Sequence, residues 1–267
     1  MVRSRGSKRR PWLGAAVSAL LLTGTLLAGG AQAAVPTCPA TVVLIHDMAR
    51  DAGEWDSTAE VLRAAGWCVE ALTYGEPLGP FAGRGALDSA SGEVGAAIEE
   101  TLDRAGPVVL VGHGAGSLAA QRHLQRAPST SGIAALITLG PLWNGTNIGE
   151  LATMERISRE VGAYDAVLEL ERPIVDPVCA GCRDLIAGSD FLVDLRRDGL
   201  VTAGVEYTNI ASRTGLLEQP PLAGLAPEMA GVIVQDRYPS NTATHFGLAD
   251  DPDVQVLLLE ALAEVGS

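Results

Sequence analysis

The chain has 267 residues, of which 47% are hydrophobic, and carries a formal net charge of −13 at pH 7. A chain of this length and composition can bury one sizeable core, so we expect a single domain. The acidic balance disfavours nucleic acid and anionic lipid as electrostatic partners.

The first 33 residues have the pattern of a signal peptide. A basic head precedes an apolar stretch from Leu13 to Leu27, and AQA at 31–33 fits a cleavage site. A retained transmembrane anchor is the alternative, but the apolar stretch is short and interrupted. Arg9-Arg10 leaves the Sec and twin-arginine routes both open. We expect a secreted chain with no transmembrane anchor and a net charge of −18, since the leader holds five basic residues and no acid.

After residue 33, strand and helix patterns alternate along the chain. Alternation of this kind predicts a parallel sheet that helices cover on both faces. We therefore expect one domain over 34–267. The strand patterns lie at 41–46, 67–74, 107–112 and 133–140, and the helical patterns at 53–66, 87–106 and 115–126.

The alternation stops between about residues 141 and 200. Short helical patterns at 150–161 and 190–198 have Gly and Pro between them, which favours a lid-like insertion over one end of the sheet. Strand patterns resume at 205–212 and 231–236, and a helical pattern at 251–265 closes the chain.

The four cysteines are expected to pair, because an exported chain meets oxidising conditions. Cys38 precedes the first strand and Cys68 opens the second, so both lie at one end of the sheet if these strands are parallel neighbours. Cys179 and Cys182 would then bridge each other. A metal site or a redox motif is the alternative for this C-x-x-C pair, although nearby residues supply no His ligands.

The segment 108–117, VVLVGHGAGS, has the pattern of a nucleophile elbow. In that turn glycines flank a strained residue whose side chain projects above the sheet, facing the N-terminus of the following helix. The residue at this point is Gly114, which carries no side chain. Ser117 is a poor substitute, because about 100° of rotation per helical residue turns it away from the site.

This segment, with VVLIHD, GWCVEALTYG, YTNIASRTG and VIVQDRYPSNTATHF in the same order, resembles the secreted bacterial triacylglycerol lipases and esterases of the α/β-hydrolase superfamily. The resemblance covers nearly all of the chain after the leader. It implies an α/β-hydrolase fold, with a mostly parallel central sheet and helices on both faces. It also implies a small acyl ester or lipid as ligand, with no cofactor and no metal. It leaves any protein partner unknown.

Carried over by position, the resemblance puts the family's serine at Gly114, its aspartate at Gly215 and its histidine at His245. The backbone amides of Met48 and Ala115 stand where the family's oxyanion donors are expected. The chain thus departs from the family at the nucleophile and at the acid.

The departures weaken ester hydrolysis for separate physical reasons. Gly114 cannot form an acyl-enzyme, and Gly215 cannot hold an imidazole in one tautomer. Asp47 would oppose the negative charge that develops in an oxyanion hole, unless its side chain points away. Glu218, three residues beyond Gly215, is a candidate substitute acid. His46 and His113 are expected to be structural, and His123 to face solvent.

These residues leave functions of different classes open. One is a secreted pseudoenzyme that keeps an acyl-type cleft and has lost hydrolysis. Another is an active carboxylic ester hydrolase in which His245 activates water, oriented by Glu218. A third, which no residue selects, is a non-hydrolytic enzyme that uses His245 for proton transfer.

Overall fold

The computed structural model describes residues 38–75, 82–147, 150–217 and 220–266. The predicted signal peptide therefore lies outside the described residues. Six strands form one sheet in the order β2-β1-β3-β4-β5-β6, and every neighbouring pair is parallel. The strands are β1 (Thr41–Ile45), β2 (Cys68–Leu72), β3 (Val108–His113), β4 (Ile133–Leu139), β5 (Glu206–Ala211) and β6 (Ala230–Ile233).

The central strands are continuous apolar runs because both of their faces are covered. All five residues of β1 and all six of β3 are buried. Helices α2 and α3 contribute to the core on one face, and α1 and α8 to the core on the other. The helices are α1 (Asp56–Ala64), α2 (Leu87–Ala105), α3 (Ala115–Arg126), α4 (Leu151–Glu160), α5 (Tyr164–Asp184), α6 (Asp190–Arg197), α7 (Val234–Arg237) and α8 (Pro252–Glu264).

The predicted α/β fold with helices on both faces is confirmed. Two local predictions were wrong. The strand expected at 231–236 ends at Ile233, and the chain turns directly into α7. Only short helices were expected between β4 and β5, whereas α5 spans 21 residues despite Pro173 and Pro177. It accommodates a break at Cys179, whose φ of −163° and ψ of 78° are not helical.

Both predicted disulfides are present, Cys38–Cys68 and Cys179–Cys182. The first follows from the strand register, since β1 pairs with β2 so that Thr41 lies opposite Cys68. The second lies at the C-terminal end of α5, next to its break. Among the described residues, no helix is long and apolar enough to cross a membrane.

Candidate functional site

The turn between β3 and α3 has the geometry that its glycine pattern predicts. Gly114 stands between His113 and Ala115 with φ 45° and ψ −115°, a backbone conformation that favours glycine. Gly116 allows α3 to begin close to β1, because a β-carbon at residue 116 would lie 2.5 Å from the carbonyl oxygen of Ile45. The chain therefore makes a sharp strand-to-helix turn that places residue 114 above the sheet.

The space above Gly114 is filled by the side chain of Asp47, which lies two residues beyond β1. A β-carbon at residue 114 would lie 2.5 Å from Cγ of Asp47 and would overlap its Oδ1. That Oδ1 accepts a hydrogen bond of 2.7 Å from the backbone N–H of Ala115, and Oδ2 lies 3.1 Å from Nε2 of His245. The carboxylate thus occupies the position into which a side chain at residue 114 would project.

Asp47 is held as an anion in this position although it is only 3% exposed. Burial by itself raises the pKa of its carboxyl group, but the hydrogen bond with His245, the charges of His113 and His245 and the N–H of Ala115 together lower it to about 2. The carboxylate is therefore ionised at neutral pH, which places a negative charge beside the N-terminus of α3.

His113 connects the same network to Glu54. Its Nδ1 lies 3.0 Å from Oε1 of Glu54, and its Nε2 lies 2.9 Å from the carbonyl oxygen of His245. Each ring nitrogen of His113 therefore faces an oxygen atom of another residue. The other oxygen of Glu54 accepts a hydrogen bond of 2.8 Å from the backbone N–H of Asp47.

Asp47, His113 and His245 are all buried, and each offers one ligand atom within 4.8 Å of the others. The residue types would suit a transition metal. However, both nitrogens of His113 already face oxygen acceptors, and Oδ2 of Asp47 faces His245. A metal ion would have to displace these hydrogen bonds, so we interpret the cluster as a closed hydrogen-bond network.

The structure brings some of the predicted site residues together. His245 begins a short 3-10 helix, is 1% exposed, and packs against Gly140, where a β-carbon would lie 2.8 Å from its Nδ1. Gly215 is buried in the turn after β5, where its N–H donates to the carbonyl oxygen of Ser212. Glu218 lies outside the described residues. Met48 points its thioether at the Cys179–Cys182 disulfide.

The histidines outside this network have structural roles. His46 stacks on Tyr74 with ring centroids 4.2 Å apart, and its Nε2 accepts the N–H of Tyr74. His123 was expected to face solvent, and this was wrong. Its side chain is 11% exposed and packs so closely on Gly95 that a β-carbon there would overlap the ring.

Ser117 lies beneath the turn, as the helical rotation predicts. Ser117 is fully buried, and its Oγ would lie 3.0 Å from a β-carbon at Gly112, on β3. The position of Asp47 inside the site was not predicted from the sequence. The residue type indicated only that a carboxylate there would be unfavourable if it pointed inward.

A cavity of about 320 Å³ opens beyond the carboxyl ends of β4 and β5. Its wall begins at Pro141, the residue after Gly140 against which His245 packs. The lining combines apolar side chains with a few amides and a hydroxyl, as ligand cavities commonly do. The lining side chains include Leu142, Trp143, Asn144, Thr146, Leu216 and Leu217.

No protein-family model and no curated protein matches the sequence. Solved structures do match. Lipase B of Aspergillus fumigatus is 20% identical with a TM-score of 0.65, over 85% of this chain and 53% of that one. This chain therefore spans about half the length of that lipase. A Bacillus licheniformis lipase in its mature form is 14% identical, with a TM-score of 0.58, over 85% and 92% of the two chains.

A monoacylglycerol lipase of Paleococcus ferrophilus is 16% identical with a TM-score of 0.54, over 84% of this chain and 92% of that one. At these identities the similarity establishes the fold alone. Together with the parallel sheet and the turn at Gly114, it defines the chain as a protein with a lipase-like α/β-hydrolase fold.

Proposed function

We propose that this is a secreted pseudoenzyme of lipase-like fold, which has lost ester hydrolysis and keeps a cleft for a small acyl-type ligand. The observation that carries the proposal is the position of the Asp47 carboxylate above Gly114. The nucleophile position holds no side chain, and the space that a nucleophile and its substrate need is filled by another residue of the same chain.

The hydrogen-bond donors of the site support the same conclusion. Stabilising an ester's tetrahedral intermediate requires free N–H groups directed at the developing oxyanion. The N–H of Ala115 is already bonded to Oδ1 of Asp47, which carries a negative charge of its own. A substrate oxyanion would have to displace this carboxylate and approach its charge. Losing a catalytic nucleophile alone costs about a millionfold in turnover in a well-studied protease.

The alternative of an active hydrolase, in which His245 activates water, draws less support. Its oxyanion donors would be the amides of Met48 and Ala115, and the second is engaged by Asp47. His245 is 1% exposed, so in this arrangement water has little access to its ring. No residue in the described part of the chain favours proton-transfer chemistry on a different substrate.

The ligand class follows from the cavity next to Gly140. A volume of about 320 Å³ suits a short acyl group, and Leu142, Trp143 and Leu217 offer it apolar contacts. The two disulfides are compatible with an oxidising compartment outside the cytoplasm.

The hydrolytic part of the proposal is tested with short p-nitrophenyl esters. The mature protein should release p-nitrophenol no faster than its His245→Ala variant. Turnover that His245→Ala abolishes would contradict the pseudoenzyme and support the water-activation mechanism.

A complementary experiment installs the missing groups. Asp47→Gly, Gly114→Ser and Gly215→Asp together should create esterase activity, because the first change empties the space that the new serine needs. The same triple variant with His245→Ala serves as its control and should stay inactive. Activity in neither protein would show that the site has diverged beyond these three positions.

Ligand binding needs its own measurement. Calorimetric titration with a non-hydrolysable short-chain acyl amide should give saturable binding to the mature protein. Leu217 is half-buried in the cavity wall, so Leu217→Trp should narrow the cavity and weaken ligand binding. Binding of equal strength in both proteins would place the ligand elsewhere.

A further inference from the structure

The Cys179–Cys182 disulfide lies directly against the loop that carries Asp47. The Sγ atoms of Cys179 and Cys182 lie 3.6 and 3.5 Å from Sδ of Met48, the residue that follows Asp47. The disulfide therefore contacts the residue next to Asp47, whose carboxylate closes the site.

The backbone around the disulfide is packed as closely as its sulfur atoms. The N–H of Gly181 donates to the carbonyl oxygen of Arg84 at 3.1 Å. A β-carbon at Gly181 would lie 2.9 Å from Cε of Met48 and 2.5 Å from the carbonyl oxygen of Gly85. Segment 179–182 is thus a contact between α5 and the loop at residues 47–50.

Restriction of the unfolded chain is a poor explanation for the presence of this disulfide. The stabilisation expected from restricting the unfolded chain grows with the length of the closed loop. Here the cysteines are three residues apart, whereas Cys38 and Cys68 are 30 apart. The short bridge instead spans the break in α5 at Cys179, so its main effect is on local conformation.

The loop beneath the disulfide is under backbone strain. Ala49, directly after Met48, has a φ of 59°. This left-handed conformation is unfavourable for a residue that carries a side chain. A strained segment persists while its surroundings hold it and relaxes when a contact is lost.

The two cysteines differ in exposure. Cys182 is an exposed residue, whereas Cys179 is only 8% exposed. Thiol–disulfide exchange begins with attack of a thiolate on an accessible sulfur, and exposed disulfides are the labile ones. Cys182, as the more exposed residue of the pair, is therefore the expected point of attack.

We propose that Cys179–Cys182 is a thiol–disulfide exchange site whose reduction by a dithiol releases the loop at residues 47–50. One thiolate of the dithiol attacks Sγ of Cys182 and breaks the disulfide, forming a mixed disulfide and a thiolate at Cys179. The second thiol of the reductant then displaces Cys182. The reductant leaves as a disulfide, and two electrons and two protons pass to the pair of cysteines.

Reduction acts on the loop through van der Waals contact. Two thiols cannot remain as close as two bonded sulfur atoms, so Cys179 and Cys182 must separate. Since Sδ of Met48 touches both of them, it has to move, and the strained residue behind it is free to relax. This inference concerns the closure of the site and does not depend on whether the protein hydrolyses or binds an ester.

The test compares amide hydrogen exchange of the oxidised protein and the dithiol-treated protein. Exchange across residues 47–50 should be about tenfold faster after reduction, which is a change in local opening rather than in global stability. Alkylation of the new thiols and peptide mapping identifies which pair was opened. Cys182 should be modified before Cys38 or Cys68.

Three variants separate this mechanism from others. Cys179→Ser with Cys182→Ser should show the faster exchange without a dithiol and no further response. Cys38→Ser with Cys68→Ser should keep the response. Met48→Ala should give fast exchange in both redox states. Equal exchange before and after mapped reduction of Cys179–Cys182, or a response that survives Cys179→Ser with Cys182→Ser, would overturn the proposal.

Discussion

Oδ2 of Asp47 lies 3.1 Å from Nε2 of His245, although the two residues are 198 positions apart in the chain. Both side chains are buried, at 4% and 1% exposure. The contact joins the loop after β1 to the loop before α8 across the turn at Gly114. It puts an anion beside the histidine, in the space where the resemblance to lipases expects a serine.

Asp47→Asn tests the charge of this contact, because asparagine keeps the shape of the side chain. Hydrogen bonds to a charged group contribute about 1.5–3 kcal/mol, so we expect a loss of this order at pH 7. The pKa of Asp47 is lowered to about 2 from 3.8, so its contribution is present above pH 3.8 and is lost as the pH falls through about 2. Urea unfolding of both proteins should therefore give free energies that converge over this range.

Asp103→Asn is the matched control, since it removes one negative charge from an exposed position on α2. It should change the unfolding free energy by less than about 0.5 kcal/mol. If the unfolding free energies of Asp47→Asn and the native protein differ by the same amount from pH 7 to pH 2, an ionised Asp47 is contradicted.

Gly114→Ser tests whether Asp47 fills the elbow. The new β-carbon would overlap the carboxylate of Asp47, and the serine would have to adopt a positive φ. We therefore expect the protein to be destabilised by about 2–4 kcal/mol. Asp47→Gly in the same protein should recover at least about 1 kcal/mol of this, seen as coupling in a double-mutant cycle. Asp47→Asn with Gly114→Ser keeps the overlap and should show no such recovery. Equal coupling in the two cycles would mean that charge, not space, is responsible.

Asp184 should make stability depend on pH in the opposite direction. Burial raises the pKa of its carboxyl group to about 6, while its Oδ2 accepts the N–H of Leu87 at the start of α2. A raised pKa favours the protonated folded state, so its contribution is full below pH 3.8 and is lost as the pH rises through about 6. Asp184→Asn keeps the acceptor and should remove this slope. An unchanged slope between pH 4 and pH 6 in the variant would assign it to other groups.

Gly92 and Gly95 in α2 offer a matched pair for packing. A β-carbon at Gly92 meets nothing within 4 Å, so Gly92→Ala should stabilise the protein by about 0.5–1 kcal/mol through helix propensity. A β-carbon at Gly95 would overlap the ring of His123, so Gly95→Ala should destabilise it by about 1–3 kcal/mol. Thermal unfolding measures both changes. Equal effects of the two substitutions would contradict the close packing of α2 on α3.

The order of strands and helices could be predicted because it rests on local pattern. The apolar runs of β1 and β3 and the helical repeat of α2 are each visible in a short window, and they agree with the structure to within a residue or two at most ends. Helix α5 was missed for the same reason. Pro173 and Pro177 indicate a break locally, whereas the folded chain stays helical through both prolines and breaks only at Cys179.

The sequence by itself determined the class of fold and the absence of a side chain at Gly114, since each depends on residue type and spacing along the chain. It also predicted the pairing of the cysteines, but Cys38–Cys68 depended on β1 and β2 being neighbours, which the sheet decides. Only the tertiary structure decided where the carboxylate of Asp47 points and what His113 and His245 bond to. Those contacts join residues from the loop after β1, from β3 and from the loop before α8, and their geometry depends on how the strands pack side by side. Local residue pattern cannot specify it, because one side chain at the end of a strand can turn toward the site or toward solvent with the same sequence around it.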